Sequence, residues 1–160
     1  PPPPPPPTHF FSKQKTPYAI PLRLVGSEMC IRDSAITVAA REVAETTNIK
    51  VICCFTETAT TASLTSRERP KVPIIALTPK ITIARKLTLN WGLHCIITEE
   101  LTRFKMAVVN AAKAARMYGF AKNNDKIIVI AGVPFNVSGT TNILRVAPAD
   151  EKKIFEGEIN

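Results

Sequence analysis

Histidine is nearly missing from this chain: there are two, and only His94 lies beyond the first 34 residues. A Ser/His/Asp relay or a Cys/His pair has little to be built from, and His94 sits inside an apolar run, where a packed or partly exposed ring is the ordinary state. Cysteine is also sparse. Past residue 34 there are Cys53 and Cys54, adjacent in one apolar run, and Cys95 in another. That is neither a disulfide framework nor metal-ligand spacing. Neighbouring strand residues point to opposite faces, so these read as buried, reduced thiols of a cytoplasmic protein. Aromatic residues make up 6% of the chain, and none interleave with Arg67, Arg69, Lys71, Arg85 and Lys86 as in a single-strand nucleic-acid groove. Among the six glycines there is no Gly-x-Gly-x-x-Gly, and no Lys follows Gly139, which excludes a dinucleotide fingerprint and a Walker A loop. No apolar run approaches membrane-spanning length, and the start lacks the apolar core and cleavage pattern of a secretory signal.

Proline, by contrast, is in excess at one end. Nine of the fourteen prolines fall in residues 1–34, which open on seven in succession and show no apolar period of either kind. "LVGSEMCIRDS" (Leu24–Ser34) resembles an in-frame translation of the transposon-end adaptor used in short-read sequencing libraries, and "KQKTPYAI" (Lys13–Ile20) resembles the primer that precedes it. Residues 1–34 are therefore expected to be non-native or disordered; a natural Pro-rich tail is the alternative. Without them the net charge falls from +8 to +6, a mildly basic surface.

From Ala35 the pattern alternates. Ile36, Ala40, Val43 and Thr47 share a helical face; "VICCFT" (51–56) is a short continuous apolar run suited to a strand covered on both sides. A polar stretch with a brief helix follows and stops before Pro70. "VPIIALTP" (72–79) is a second strand, "ITIARKLTLNWG" a helix closed by Gly92, and "LHCIITEE" a third strand. Glu99 and Glu100 are placed to cap the next helix. In that helix Phe104, Val108, Ala111, Ala115 and Tyr118 form one stripe, with Gly119 just past its end. "IIVIAG" (127–132) and "NILRVAPA" make the last two strands, and "DEKKIFEGEIN" reads as a loose tail. This rhythm predicts an α/β fold: a three-layer α/β/α domain with a five-stranded, mostly parallel sheet, its last strand antiparallel because the connection before it is short. The divisions expected are 1–34, a domain over 35–148, and a tail over 149–160.

Open α/β sheets bind ligands at the carboxyl ends of their strands, and three loops there carry suitable chemistry. "TETATTAS" (Thr56–Ser63) puts hydroxyls and free N–H groups at a helix N-terminus, which suits a phosphate. "TPK" (Thr78–Lys80) opens a second helix. "AGVPFNVSGTTNILRV" (131–146) brackets an irregular loop with Gly132 and Gly139, and Thr140, Thr141 and Asn142 add donors. Each alone is better explained as turn chemistry; two at one end of a sheet bring a phosphorylated ligand level with that reading.

The motifs "RERPKVPIIALTPKITIARKLTLNWGLHCIITEE" and "GFAKNNDKIIVIAGVPFNVSGTTNILRV", in that order, resemble the C-terminal domain of bacterial pyruvate kinases from Ala35 to about Val146. The resemblance implies an allosteric domain that takes a sugar phosphate or nucleotide monophosphate and contributes to a homotetramer interface. It implies that Thr56, Thr58 and Thr61 hold the phosphate and that Ser138, Gly139, Thr140 and Thr141 close over it. Where this chain has Ala59 the family usually has Gly, and a Cβ there is unfavourable if φ is positive.

The parent reaction implied is phosphoryl transfer from phosphoenolpyruvate to ADP in the cytoplasm. Its Mg²⁺ and K⁺ would belong to a (β/α)₈ barrel that is not in this chain, so no cofactor and no catalytic residue is assigned here and the chain alone is expected to be inactive. Neither membrane nor nucleic acid is an expected partner. A free-standing phosphometabolite-binding module and, less favoured, a basic nucleic-acid-binding domain are the rival classes.

Overall fold

The computed structural model describes residues 27–135, 137 and 141–156. In chain order the elements are α1 (Ser27–Thr46), β1 (Ile49–Phe55), α2 (Thr60–Arg67), β2 (Ile74–Thr78), α3 (Ile81–Leu87), β3 (Leu93–Ile97), α4 (Phe104–Met117), β4 (Lys126–Gly132), β5 (Thr141–Pro148) and α5 (Glu151–Glu156). The five strands form one sheet in the order β3-β2-β1-β4-β5. All neighbours are parallel except β4 and β5, which run antiparallel with Val129 opposite Arg145.

Strand alternation divides the apolar residues between two cores. Val51, Cys53 and Phe55 of β1, Ile75 and Leu77 of β2, and Ile127 and Val129 of β4 face α4 and α5. Ile52, Cys54, Ile74, Ala76, Ile128 and Ile130 face α1, α2 and α3. The paired cysteines are thus split between the layers, as their adjacency predicts. Central strands buried on both faces need continuous apolar runs, which is why "VICCF" and "IIVIA" show no period of two in hydrophobicity. On α4, seven alanines and valines are buried, and their small side chains let the helix lie close to the sheet.

The order 3-2-1-4-5 has a physical consequence. From β1 the chain steps outward through α2 and α3 on one face; α4 then carries it back across the other face to β4. Loops leaving β1 and β4 therefore part in opposite directions, opening a crevice at the carboxyl ends of these neighbours.

Five expectations are corrected. The helix after β2 ends at Leu87, not at Gly92: Thr88 Oγ1 donates to the Arg85 carbonyl at 2.6 Å and tightens the turn. Gly92, at φ 67°, instead redirects the chain into β3. Tyr118 lies off the buried stripe, 57% exposed, whereas Gly119 does follow the helix in the left-handed region at φ 77°. Glu99 and Glu100 do not cap α4, whose N-cap is Arg103. The segment after β5 is not loose: Asp150 Oδ1 accepts the Lys152 N–H at 3.1 Å as an N-cap, Arg116 pairs with Glu151, and Ile154 is buried beside α4. Finally α1 reaches back to Ser27, so residues 27–34 continue the helix expected only from Ala35.

Candidate functional site

The crevice between β1 and β4 is a cleft of about 50 Å³. By the one-water measure of about 10–15 Å³ that is room for a few waters or a phosphoryl group. Phe55, Leu77, Leu101 and Phe135 form its apolar floor and wall; Thr56, Thr58, Thr60, Thr61 and Thr141 line its polar side.

Thr56 ends β1. Its N–H donates to the Leu77 carbonyl at 3.0 Å, which holds the residue in the sheet. Its side chain is buried, yet Oγ1 has no hydrogen-bond partner among the described residues. A buried hydroxyl without a partner costs about 1–3 kcal/mol, so a polar group delivered by a ligand would relieve that cost. Thr58 and Thr60 bond each other through Oγ1 at 3.1 Å. Ala59 is the N-cap of α2 and sits in the left-handed region at φ 77°, ψ −11°, the conformation a glycine adopts without penalty. It supplies no side-chain cap, so the first-turn N–H groups of α2 keep their donor capacity at the mouth of the cleft.

Thr61 and Thr141, 80 residues apart in sequence, share a 2.7 Å hydrogen bond between their Oγ1 atoms. This contact joins the threonine loop to the start of β5, so Thr56, Thr58, Thr61 and Thr141 are brought to one cleft. Ser138, Gly139 and Thr140 lie outside the described residues. Asn142 braces the loop: its Nδ2 donates to the Val133 carbonyl at 2.5 Å and its Oδ1 accepts the Val133 N–H at 2.9 Å. Both ends of the amide are spent bracing the two arms of the loop.

Three acidic residues line the cleft: Asp33 and Glu57, which the sequence did not single out, and Glu99, which it read only as a helix cap. Asp33 is buried, and burial raises its carboxyl pKa above the ordinary 3.8, opposed by the Thr141 hydroxyl and amide and by Arg32. Glu57 is held by Lys80, Nζ to Oε2 2.8 Å, and this contact raises the Lys80 pKa. The "TPK" loop therefore reaches the site through an ion pair.

Elsewhere Cys53 and Cys54 are buried as expected, whereas Cys95 is only half-buried because β3 is the edge strand. Burial pushes Cys54 up to about 12 and raises Cys53 further, so neither is a nucleophile at neutral pH. His94 is exposed, its ring 4.7 Å from that of Phe120. Trp91 stands under the Arg69 guanidinium, 5.7 Å from the ring centre. No described helix is long and apolar enough to cross a membrane.

A doubly wound sheet with a threonine-lined cleft at its switch point defines an open α/β domain, a class that places its ligand sites at the carboxyl ends of its strands. Comparison with known proteins narrows the class. The family described as "Pyruvate kinase, alpha/beta domain" matches residues 34–147. A pyruvate kinase of Methylorubrum extorquens is 39% identical over 113 residues, 71% of this chain and 24% of that protein. One from Agrobacterium vitis is 42% identical over 115 residues, 72% and 24% respectively, and one from Clostridium acetobutylicum 36% over 121 residues, 76% and 26%.

The chain belongs to the pyruvate kinase family, and it is the alpha/beta domain that it matches. It spans about a quarter of the length of these curated relatives. The match is to the non-catalytic domain, and no three His, Cys, Asp or Glu side chains lie together as metal ligands among the described residues.

Proposed function

We propose that this domain is the regulatory and oligomerisation unit of a pyruvate kinase, binding a sugar phosphate or nucleotide monophosphate in the cleft between β1 and β4. The observation that carries this is Thr56 Oγ1, buried and without a partner on the wall of a cleft that the first turn of α2 also faces. The phosphoryl group takes hydrogen bonds from Thr56, Thr58 and the α2 amides. Thr61 and Thr141 tie the opposite wall, and the loop through Ser138, Gly139 and Thr140 closes over the ligand. In the parent enzyme the chemistry, phosphoryl transfer from phosphoenolpyruvate to ADP, and its metal ions reside on the barrel. The subunits pair as a homotetramer in the cytoplasm. The parent domain begins near residue 35 and includes the packed α5 segment; the adaptor-like residues 1–34, Asp33 of the cleft among them, are foreign to the parent.

Thermal unfolding of the full chain with fructose 1,6-bisphosphate, ribose 5-phosphate or AMP tests the site. A ligand at 100 times its Kd stabilises by about 2.7 kcal/mol, a rise of several degrees in Tm for a domain of this size. Loss of that rise in Thr56→Val places the ligand; no rise with any of the three overturns the proposal. A lactate dehydrogenase-coupled assay of the chain is expected to show no metal-dependent turnover.

A further inference from the structure

A cleft for an anion should not be lined by carboxylates. Yet Asp33, Glu57 and Glu99 line this one, and no Lys, Arg or His does so among the described residues. Lys80 follows the lining residue Pro79, and Glu57 holds its Nζ at 2.8 Å. Glu57 stands between Thr56 and Thr58, on the loop that offers hydroxyls and the α2 first turn to a phosphate. Its carboxylate is thus an internal anion on the lining, paired with a lysine one residue beyond Pro79.

Resting on the phosphate-site reading above, we propose that Lys80 is an anion-binding residue of this cleft and that Glu57 is its built-in competitor, displaced when a phosphoryl group enters. Both partners have freedom to exchange: the side chains of Lys80 and Glu57 are 52% and 26% exposed, and an ion pair this wet is held only loosely. A phosphate dianion offers Lys80 more charge and more acceptor oxygens than a carboxylate does. The unpartnered Thr56 Oγ1 gives the incoming group a donor that Glu57 leaves unused. The outcome is a site biased toward the empty state, which answers only to ligands able to outbid its own glutamate.

Titration calorimetry of the full chain with inorganic phosphate provides the test, with urea midpoints confirming that each variant folds. Glu57→Gln keeps the shape and removes the competing charge; it should bind phosphate about tenfold more tightly than the parent chain, a change of about 1.4 kcal/mol. Lys80→Met should bind several-fold more weakly, and Glu57→Gln with Lys80→Met should lose the gain. Equal affinity of the parent chain and Glu57→Gln, or a gain that survives loss of Lys80, overturns the proposal while leaving the phosphate site standing. If Glu57→Gln fails to fold, unchanged affinity in Lys80→Met alone overturns it. Absence of phosphate binding in every variant overturns both the site and the competitor.

Discussion

Ala59→Gly isolates the conformational strain in the phosphate loop. At φ 77° an L-residue carries about 1–2 kcal/mol relative to the right-handed region, and glycine removes it. Two losses oppose the gain. Ala59 is buried in the layer with Ala62 and Ile52, so deleting its methyl forfeits about 0.8 kcal/mol. Glycine also loosens the unfolded chain, at about 0.4–1 kcal/mol. These terms nearly cancel, so the substitution is expected to change stability by less than about 1 kcal/mol in either direction.

The control is Ala112→Gly, equally buried but in the middle of α4. There no strain is relieved, and methyl loss plus helix propensity should cost about 2 kcal/mol. Urea unfolding of the full chain, read as midpoint at constant slope, measures both. If Ala59→Gly loses as much as Ala112→Gly, Ala59 carries no left-handed strain and the account of this loop fails. Because the Cβ also stands at the N-cap of α2, phosphate affinity should rise in Ala59→Gly and stay unchanged in Ala112→Gly.

Three further outcomes follow from the packing and the charges. Asp33 has a folded pKa above its ordinary value, so the folded state holds the extra proton. Its stabilising effect is complete below the ordinary carboxylate range and is lost as pH rises through the folded pKa. Unfolding free energy against pH should fall across that window in the parent chain and be flatter in Asp33→Asn. Ile154→Ala should cost about 2–4 kcal/mol by urea unfolding, since Ile154 is buried beneath α4; a loss under about 0.5 kcal/mol would return the segment to a loose tail. Thiol labelling mapped by mass spectrometry at neutral pH should leave Cys53 and Cys54 unmodified in the native chain and modify both in urea, because burial keeps their thiolates unpopulated.

Much of the architecture was legible because burial leaves a local mark. Two-sided burial demands the unbroken apolar runs of β1, β2 and β4, and an amphipathic face demands the stripe of α4. The antiparallel last strand followed from a connection too short to cross the sheet. Local chemistry also located the threonine loop 56–63 at a helix start; it was the family resemblance that singled out Thr56, Thr58, Thr61 and Ala59 within it.

Strand order left no such mark. That β1 and β4 are neighbours, and that their loops part there, is decided by α4 crossing the opposite face of the sheet. Only this placement sets Thr61 within 2.7 Å of Thr141. It also turns Asp33 and Glu57, which in sequence look like ordinary solvated charges, into the lining of a cleft. Asn142 went the other way, from apparent donor to loop brace, because Val133 lies across from it once β4 and β5 pair. Propensity and burial act on neighbours in sequence and can be read there; hydrogen bonds and ion pairs between distant loops exist only after the sheet has chosen which strands adjoin.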